Sequence, residues 1–327
     1  PLVIFIALLL LTLLSMSTFR SPAVALMPDV TIKPLRSKAN AIINLMGSAG
    51  GILVLVLGMV FGTGKAENAL MGYTPFFLCV SCLMLVSLFV FLKKVDEPRF
   101  VKEMQEESRK YGIEDGQEES EGGRGLEKSE RRSLLLILAS VVLWYFGYNA
   151  VISKYSVYAG SVLNLDYNTS LTVATGAAIV AYLPVGIVAS KIGRKKTILA
   201  GILILGCSFL CASFIRAGSS PIVMNILFMT SGIGWATINV NSYPMVVELS
   251  KGGDVGKYTG FYYTASMAAQ TLTPVISGMI MDRFGMTTLF PYGCAFVLLA
   301  FVTMLLVRHG DNRPTPVSKL EAFGAGD

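Results

Sequence analysis

The sequence has little charge, a single histidine and only two tryptophans. Charged residues make up 15% of its 327 residues, whereas 53% are hydrophobic. The sequence contains no His/Asp/Glu or Cys/His cluster, no nucleotide-binding loop and no metal-ligand spacing. All five cysteines fall within apolar runs. Cys79 and Cys82 have the spacing of a redox or metal pair, but inside a lipid-facing helix we interpret them as small packing residues. We therefore expect no catalytic residue, no metal and no cofactor.

The charge that is present is unevenly placed. Residues 93–132 contain ten basic and twelve acidic side chains, so that the remainder is mostly uninterrupted apolar sequence. The positive charge of that remainder, which underlies the net charge of +6, sits in short loops. Charge in such loops reports membrane topology. The sequence pI of about 9.0 is thus no reason to expect a nucleic acid partner, and we expect a lipid bilayer around the chain.

Nine apolar runs are each about as long as the ~20 residues that an α-helix needs to cross the hydrocarbon of a bilayer. They predict an all-α membrane protein with nine visible transmembrane helices. The runs lie at about 2–27, 39–62, 74–92, 134–157, 169–189, 197–216, 221–247, 258–281 and 286–307.

The loops between these runs alternate in charge. Lysine and arginine concentrate at 33–38, 93–132, 191–196, 251–257 and from 308 onward, while the intervening loops are poor in both. Basic short loops mark the cytoplasmic side of a membrane. We therefore predict a multi-pass protein of the cell (plasma) membrane, with the charged linker and the C-terminus in the cytoplasm.

One basic turn carries a loop signature of the form G-x-x-x-D-[RK]-x-G-[RK]-[RK]. Ser190 replaces its acid, and the matching residues are Gly186, Lys191, Gly193, Arg194 and Lys195. The turn resembles the signature loop of the major facilitator superfamily; a generic basic turn is the alternative. The resemblance implies a major facilitator fold, with an expected twelve helices in two pseudo-symmetric halves.

An internal repeat supports the two halves. Asp29 and Glu248 are 219 positions apart, as are Lys38 and Lys257, in two similar helix–loop–helix units. Parallel repeats of this kind relate the halves of such transporters. Applying the same spacing to the first helix of the second half predicts that roughly three helices precede Pro1.

These features divide the chain into four predicted parts. The charged linker, which includes the glycine-rich stretch 122–125, is expected to be disordered or partly helical. The parts are 1–92, the remainder of the N-terminal half (helices 4–6); 93–133, the cytoplasmic linker; 134–308, the C-terminal half (helices 7–12); and 309–327, a cytoplasmic tail.

Charges of opposite sign recur at equivalent predicted cytoplasmic positions. Asp29 is expected to pair with Arg36 or Lys38, and Glu248 with Lys257. Interfacial anchoring is the alternative, because surface ion pairs contribute less than ~1 kcal/mol. Reuse of an acid and a lysine in both halves favours an inner gate. The predicted gating residues are Asp29, Lys38, Gly186, Lys191, Gly193, Arg194, Lys195, Glu248 and Lys257.

Two stretches, 20–31 and 36–40, resemble the fourth helix and following loop of the glycoside–pentoside–hexuronide and sucrose-type sugar symporters. This branch carries a similar Pro-x-x-x-Leu-x-Pro pattern leading into a basic loop. The resemblance implies uptake of a sugar, an oligosaccharide or glycoside, together with protons. One departure is that several cation-coupled members have an acid at or near the position of Arg20, so ion binding is in doubt there.

Polar side chains on the first crossing predict a cavity. Thr12, Ser17 and Arg20 fall within a ~140° arc of one helix face. A shift of 219 positions takes Thr12 to Ser231 and Arg20 to Asn239, which are again polar. An arginine inside a crossing costs at least ~2.5 kcal/mol and normally faces a cavity or a partner. The alternative is that Arg20 snorkels to the interface.

Aromatic and amide side chains complete the predicted cavity, because sugars present both hydroxyls and apolar C–H faces. Packing between helices is the alternative for these positions, and Gly147 is a possible break in its helix. Asn239 is preferred over Asn241, which points away from it around the helix. The candidates are Thr12, Ser17, Arg20, Trp144, Tyr148, Asn149, Trp235, Asn239, Tyr263 and Gln270.

Proton coupling requires a group that can titrate inside the membrane. None of the nine apolar runs contains Asp, Glu or His away from its ends, so we expect the proton carrier on the helices before Pro1. Three functions remain open: proton-coupled sugar uptake, export or facilitated passage of another organic solute, and a membrane enzyme or non-transporting sensor. The lack of catalytic or metal clusters disfavours the third.

Overall fold

The computed structural model describes residues 2–61, 72–111, 126–165, 167–250 and 255–311. In these ranges the chain is helical and has no β-strand. Its α-helices are α1 (Leu2–Asp29), α2 (Arg36–Phe61), α3 (Thr74–Lys94), α4 (Glu97–Lys110), α5 (Lys128–Tyr158), α6 (Tyr167–Ile192), α7 (Arg194–Ala212), α8 (Pro221–Val247), α9 (Val255–Phe284) and α10 (Leu289–Leu305).

Each apolar run of the sequence coincides with one of these helices, which confirms the all-α fold class. Within the described ranges, six helical segments are long and apolar enough to cross a membrane. The number nine for the crossings stays a prediction. The six segments are Thr74–Lys94, Lys128–Leu163, Thr169–Ile192, Arg194–Ala212, Pro221–Val247 and Met286–Leu305.

The core lies among the helices of the predicted C-terminal half. There α8 packs against α6 and α7, α5 packs against α9 and α10, and α10 packs against α7. Large side chains fill the space between them, among them the fully buried Trp144, Tyr155 and Phe290. From the predicted N-terminal half, α1 contacts α9, and α2 contacts both α6 and α8. By contrast, α3 has no buried residue, as expected of a helix whose apolar side chains face lipid.

Small residues allow the core helices to approach closely. A Cβ atom on Gly232 of α8 would lie 2.1 Å from the carbonyl oxygen of Ala174 on α6. One on Gly147 of α5 would lie 2.7 Å from the carbonyl oxygen of Gly293 on α10. Membrane helices are commonly packed through such residues, since burial from water does not drive their association inside lipid. Gly147 is therefore a packing residue: the suggestion that it breaks its helix is wrong, because α5 continues to Tyr158.

The charged segment after α3 is partly helical. The Asp96 side chain caps α4 by accepting a hydrogen bond from the backbone N–H of Arg99 at 3.4 Å. An exposed Arg99–Glu103 pair lies one turn apart at 2.8 Å, and a pair of this kind stabilises a helix by about 0.5 kcal/mol at most. The glycine-rich stretch 122–125 lies outside the described residues. The boundaries between linker and halves stay predictions.

The close approach at Gly232 gives a test of the packing. Gly232→Ala should lower the melting temperature of the detergent-solubilised protein, because the added methyl group forces α6 and α8 apart, and overpacking typically costs about 1–3 kcal/mol. Gly176→Ala on α6 is the matched control, since no atom lies within 4 Å of its Cβ position. Equal melting temperatures for the two variants would contradict this account of the α6–α8 contact.

Candidate functional site

The predicted basic turn is a single residue in the structure. Helix α6 ends at Ile192, Gly193 adopts φ +96°, and α7 begins at Arg194. A positive φ of this size favours glycine, because it has no Cβ to clash with the neighbouring carbonyl. Nearly two turns before the end of α6, a Cβ on Gly186 would lie 3.0 Å from the Cβ of Ala41 on α2. The start of α2 thus lies directly against the end of α6.

Arg194 connects the two predicted halves from this turn. Its Nη1 donates to Glu248 Oε2 at 2.8 Å, its Nε donates to Ser37 Oγ at 2.9 Å, and its Nη2 donates to the Lys33 carbonyl at 2.9 Å. Glu248 follows α8 in the same half, whereas Ser37 and Lys33 belong to the other half. The Arg194 side chain is only 8% exposed, so its charge depends on these partners.

Arg36 approaches the same carboxylate from the start of α2. Its Nη1 lies 3.8 Å from Glu248 Oε2. Its Nη2 donates to the Pro28 carbonyl at 3.0 Å, and Asp29 lies within electrostatic range. The Glu248 side chain, 2% exposed, therefore lies between two guanidinium groups. We call Arg36, Ser37, Arg194 and Glu248 the Arg194 cluster.

Two prolines add further contacts between the halves. A proline has no N–H, so the carbonyl four residues earlier in its helix loses a partner. Pro244 has this effect on Val240, whose carbonyl accepts a hydrogen bond from Asn40 Nδ2 at 2.7 Å. Pro28 has it on Val24, whose carbonyl accepts from the Tyr243 hydroxyl at 3.2 Å. Each freed carbonyl is thus satisfied by a side chain of the opposite half.

Sequence reasoning missed Asn40 and Tyr243. The signal that could have found them was present, since a proline inside an apolar run leaves an unsatisfied carbonyl that a nearby polar side chain must bind. Tyr243 also shares a hydrogen bond with Thr259 Oγ1 on α9 at 3.0 Å.

Most of the other predicted gating residues are more exposed to solvent than Arg194 and Glu248 are. Lys195 Nζ donates to the carbonyls of Leu305 and Val307, at 3.0 and 2.6 Å, at the end of α10. Lys191 and Lys257 are exposed, while Asp29 and Lys38 are half-buried. Glu248 contacts Arg194 and Arg36, because α2 and α7 both begin close to the C-terminus of α8. Its predicted pairing with Lys257 stays a prediction.

Several cavity candidates gather between α1, α5, α8 and α9. The rings of Tyr148 and Trp235 stack in parallel, with their centroids 3.8 Å apart, and Tyr145 contacts Trp235 edge-on at 5.1 Å. The Arg20 guanidinium of α1 lies 5.0 Å from the ring centroid of Tyr263 on α9. Arg20 is exposed and Tyr263 half-buried, so both can contact a solute.

The remaining candidates do not all belong with this group. Trp144 is fully buried in the hydrophobic core, so its assignment to the cavity surface is corrected. Thr12 is exposed and donates to the Leu8 carbonyl of its own helix at 2.9 Å. Asn149 and Gln270 are half-buried. The side chain of Ser17 lies outside the described residues.

The two asparagines of α8, Asn239 and Asn241, differ in how deeply they are buried. Asn241 is fully buried, and its Nδ2 donates to the Thr237 carbonyl of the same helix at 2.9 Å. Asn239 is half-buried, and its own carbonyl lies 3.2 Å from Asn40 Nδ2. Asn239 is therefore the more accessible side chain of the two.

A family model described as Major Facilitator Superfamily matches residues 1–181 and 167–325. The chain belongs to this superfamily. The superfamily that the loop at residues 186–196 predicted is thus confirmed.

Solved structures share the superfamily fold with this chain. The proton:xylose symporter XylE, bound to 6-bromo-6-deoxy-D-glucose, has a TM-score of 0.63 and 14% identity, covering 91% of this chain and 69% of that one. The transporter FucP, in its outward conformation, has a TM-score of 0.60 and 14% identity, covering 84% and 68%. At this identity the likeness establishes the fold alone.

A curated relative is the MFS-type transporter ppzB of Metarhizium rileyi (strain RCEF 4871). It is 24% identical over 146 residues, which is 44% of this chain and 29% of the relative. The chain therefore aligns with less than a third of that relative's length.

The Arg194 cluster gives a test of the gating hypothesis. In the intact protein, Arg194→Gln should open the predicted cytoplasmic end, because the bonds to Ser37 and Lys33 are lost. The reporter is Val240→Cys, a buried position at the α2–α8 contact. Its labelling by a membrane-impermeant maleimide should accelerate on the order of tenfold or more, since a hydrogen bond to a charged group contributes about 1.5–3 kcal/mol.

Arg99→Gln is the matched control, since Arg99 is highly exposed and pairs with Glu103 on its own helix. Its labelling rate should equal that of the parent. The gating hypothesis is wrong if Arg194→Gln labels no faster than this control.

Proposed function

We propose that this chain belongs to a secondary active transporter that takes up a sugar, an oligosaccharide or glycoside, together with protons by alternating access. The observation that carries the proposal is the Arg194 cluster, in which buried charges of both predicted halves meet at one end of the helix bundle. Alternating access requires a contact between halves that can form and break at each end of the bundle. The cluster is such a contact at the predicted cytoplasmic end.

Opening the predicted cytoplasmic end would not leave the buried Glu248 carboxylate without a partner. Glu248 and Arg194 belong to the same half and lie 2.8 Å apart, so they can stay paired when α2 moves away. The contacts that break are those of Arg194 with Ser37 and the Lys33 carbonyl, and that of Arg36 with Glu248. Because the Arg194–Glu248 pair is kept, Glu248 is not left as a buried charge without a partner, which would cost about 3–5 kcal/mol.

The side chains between α1, α5, α8 and α9 suit a sugar. Tyr148 and Trp235 present aromatic faces for apolar C–H groups. Arg20 presents a planar set of donors for hydroxyl oxygens, next to Tyr263. The resemblance of residues 20–31 and 36–40 to sugar symporters, and the fold shared with a xylose symporter, support this solute class.

We further propose that the protein is in the cell membrane, with the Arg194 cluster and the segment after α10 on the cytoplasmic side. The support is the distribution of basic loops along the sequence. The alternative functions, export or facilitated passage of another organic solute, use the same gate and are separated by the second experiment below.

Arg20 gives a test of the solute site. Arg20→Lys retains the charge but loses the planar fork of donors and the stacking on Tyr263, so the affinity for sugar should fall roughly tenfold. Arg283→Lys is the matched control, because its guanidinium lies 5.9 Å from the ring of Phe284 at the far end of α9. Calorimetric titration of the purified intact protein measures both. Unchanged affinity in Arg20→Lys and Arg20→Ala would remove Arg20 from the site.

Energy coupling is tested by uptake into proteoliposomes that contain the intact protein. An inwardly directed proton gradient should drive sugar accumulation, and a protonophore should abolish accumulation while leaving equilibration intact. Liposomes without protein provide the background. If sugar equilibrates at the same rate with and without the gradient, the protein is a facilitator. If only outward movement is accelerated by a gradient, it is an exporter.

A further inference from the structure

The segment that follows α10 folds back onto the turn that presents Arg194. We call residues 307–311 the clasp. The backbone N–H of Arg308 lies 3.4 Å from Ser133 Oγ on α5, and His309 Nδ1 lies 2.9 Å from the same oxygen. The Val307 carbonyl accepts a hydrogen bond from Lys195 Nζ at 2.6 Å. The clasp is thus attached to the beginnings of α5 and α7.

The middle of the clasp fits closely against α8. Gly310 is buried and adopts φ +92°. A Cβ at this position would lie 2.8 Å from the Met245 carbonyl oxygen. Both the backbone conformation and the lack of space require glycine here. Gly310 therefore allows the clasp to pack closely against α8.

The clasp ends at a carboxylate on the first N–H group of α7. Asp311 Oδ1 accepts a hydrogen bond from the backbone N–H of Arg194 at 2.7 Å. Both Asp311 carboxylate oxygens lie 3.1 Å from where a Cβ of Gly193 would be. The first N–H groups of a helix lack partners within the helix, and a negative charge there is favourable. Asp311 thus supplies the cap that the turn itself does not supply.

Ser190, which stands at the acid position of the loop signature, does not cap the start of α7. Ser190 donates its hydroxyl to the Gly186 carbonyl of its own helix at 2.9 Å. The carboxylate at the turn comes instead from Asp311, more than a hundred residues later in the chain. Arg194 is consequently held at both ends by acids, with Asp311 on its backbone and Glu248 on its guanidinium.

We propose that Asp311 is a positioning residue for the gate. By fixing the backbone of Arg194, it sets the direction from which the guanidinium reaches Ser37 and the Lys33 carbonyl of the opposite half. The segment after the last helix thereby controls how firmly the predicted cytoplasmic end closes. This inference rests on the gating role of Arg194 proposed above.

The test uses the Val240→Cys reporter in the intact protein, in a background without other reactive cysteines. Asp311→Ala should raise the rate of maleimide labelling from the cytoplasmic side several-fold, approaching the tenfold expected for loss of a charge-assisted hydrogen bond. Asp311→Asn retains an acceptor oxygen without the charge, so its rate should lie between Asp311→Ala and the parent. Asp282→Ala, at an exposed position near the end of α9, should label like the parent.

A second measurement separates positioning from general stabilisation. Arg194→Gln retains the backbone N–H that Asp311 caps but lacks the guanidinium. If Asp311 acts through that guanidinium, Asp311→Ala should add nothing to the labelling rate of Arg194→Gln. An equal acceleration in both backgrounds would show that Asp311 only stabilises the fold, and the proposal would be wrong.

The outcomes also distinguish this inference from the gate on which it rests. If Arg194→Gln accelerates labelling and Asp311→Ala does not, the gate stands and the role of Asp311 is overturned. If neither substitution accelerates labelling, the gate fails and the inference fails with it. Both experiments measure conformation and are independent of which solute is transported.

Discussion

One buried carboxylate in the described part of the chain constrains where three helix ends lie. Glu248 lies between Arg194 of its own half and Arg36 of the other, with 2% of its side chain exposed. Inside a bundle of apolar helices a charge without a partner is very costly. The positions of the α6–α7 turn, the start of α2 and the end of α8 must therefore be consistent with one another. Ion pairs on the surface would not impose this constraint, because water would replace either partner.

The same requirement governs backbone groups in lipid. Carbonyls that lose their helical partner need another one, because no water is available to them. Pro28 and Pro244 free the carbonyls of Val24 and Val240, and both are satisfied across the interface between the halves. The prolines therefore create paired acceptors that favour association of the halves near the Arg194 cluster. Asn40 and Tyr243 bind them with neutral side chains, and separating neutral hydrogen-bond partners costs less than separating charged ones.

The sequence predicted the helices and the basic turn well, because both are local signals. Runs of apolar residues determine crossings, and Gly193 before three basic residues determines where one helix ends and the next begins. Which charged side chains pair with one another depends on tertiary packing and not on local sequence. Arg36 approaches Glu248 because α2 packs against α6 and α8, a contact that the sequence did not predict. Likewise Trp144 is fully buried in the core, and the close approach of α10 to α5 at Gly147 is a tertiary contact that no periodicity in α5 reveals.

The contacts within the C-terminal half differ in kind from those between the halves. Within it, Gly232 and Gly147 bring backbones into van der Waals contact, and any separation loses dispersion energy without a replacement. Between the predicted halves, apolar contacts form around Ala41 and at Met27, which packs into the main core, and hydrogen bonds and charges join the same helices. Polar groups can form new hydrogen bonds when they separate, whereas the van der Waals contacts at the packed glycines would be lost without replacement. We therefore expect the bundle to open at the predicted interface between the halves, where polar contacts can be exchanged, rather than within the glycine-packed helices α5 to α10.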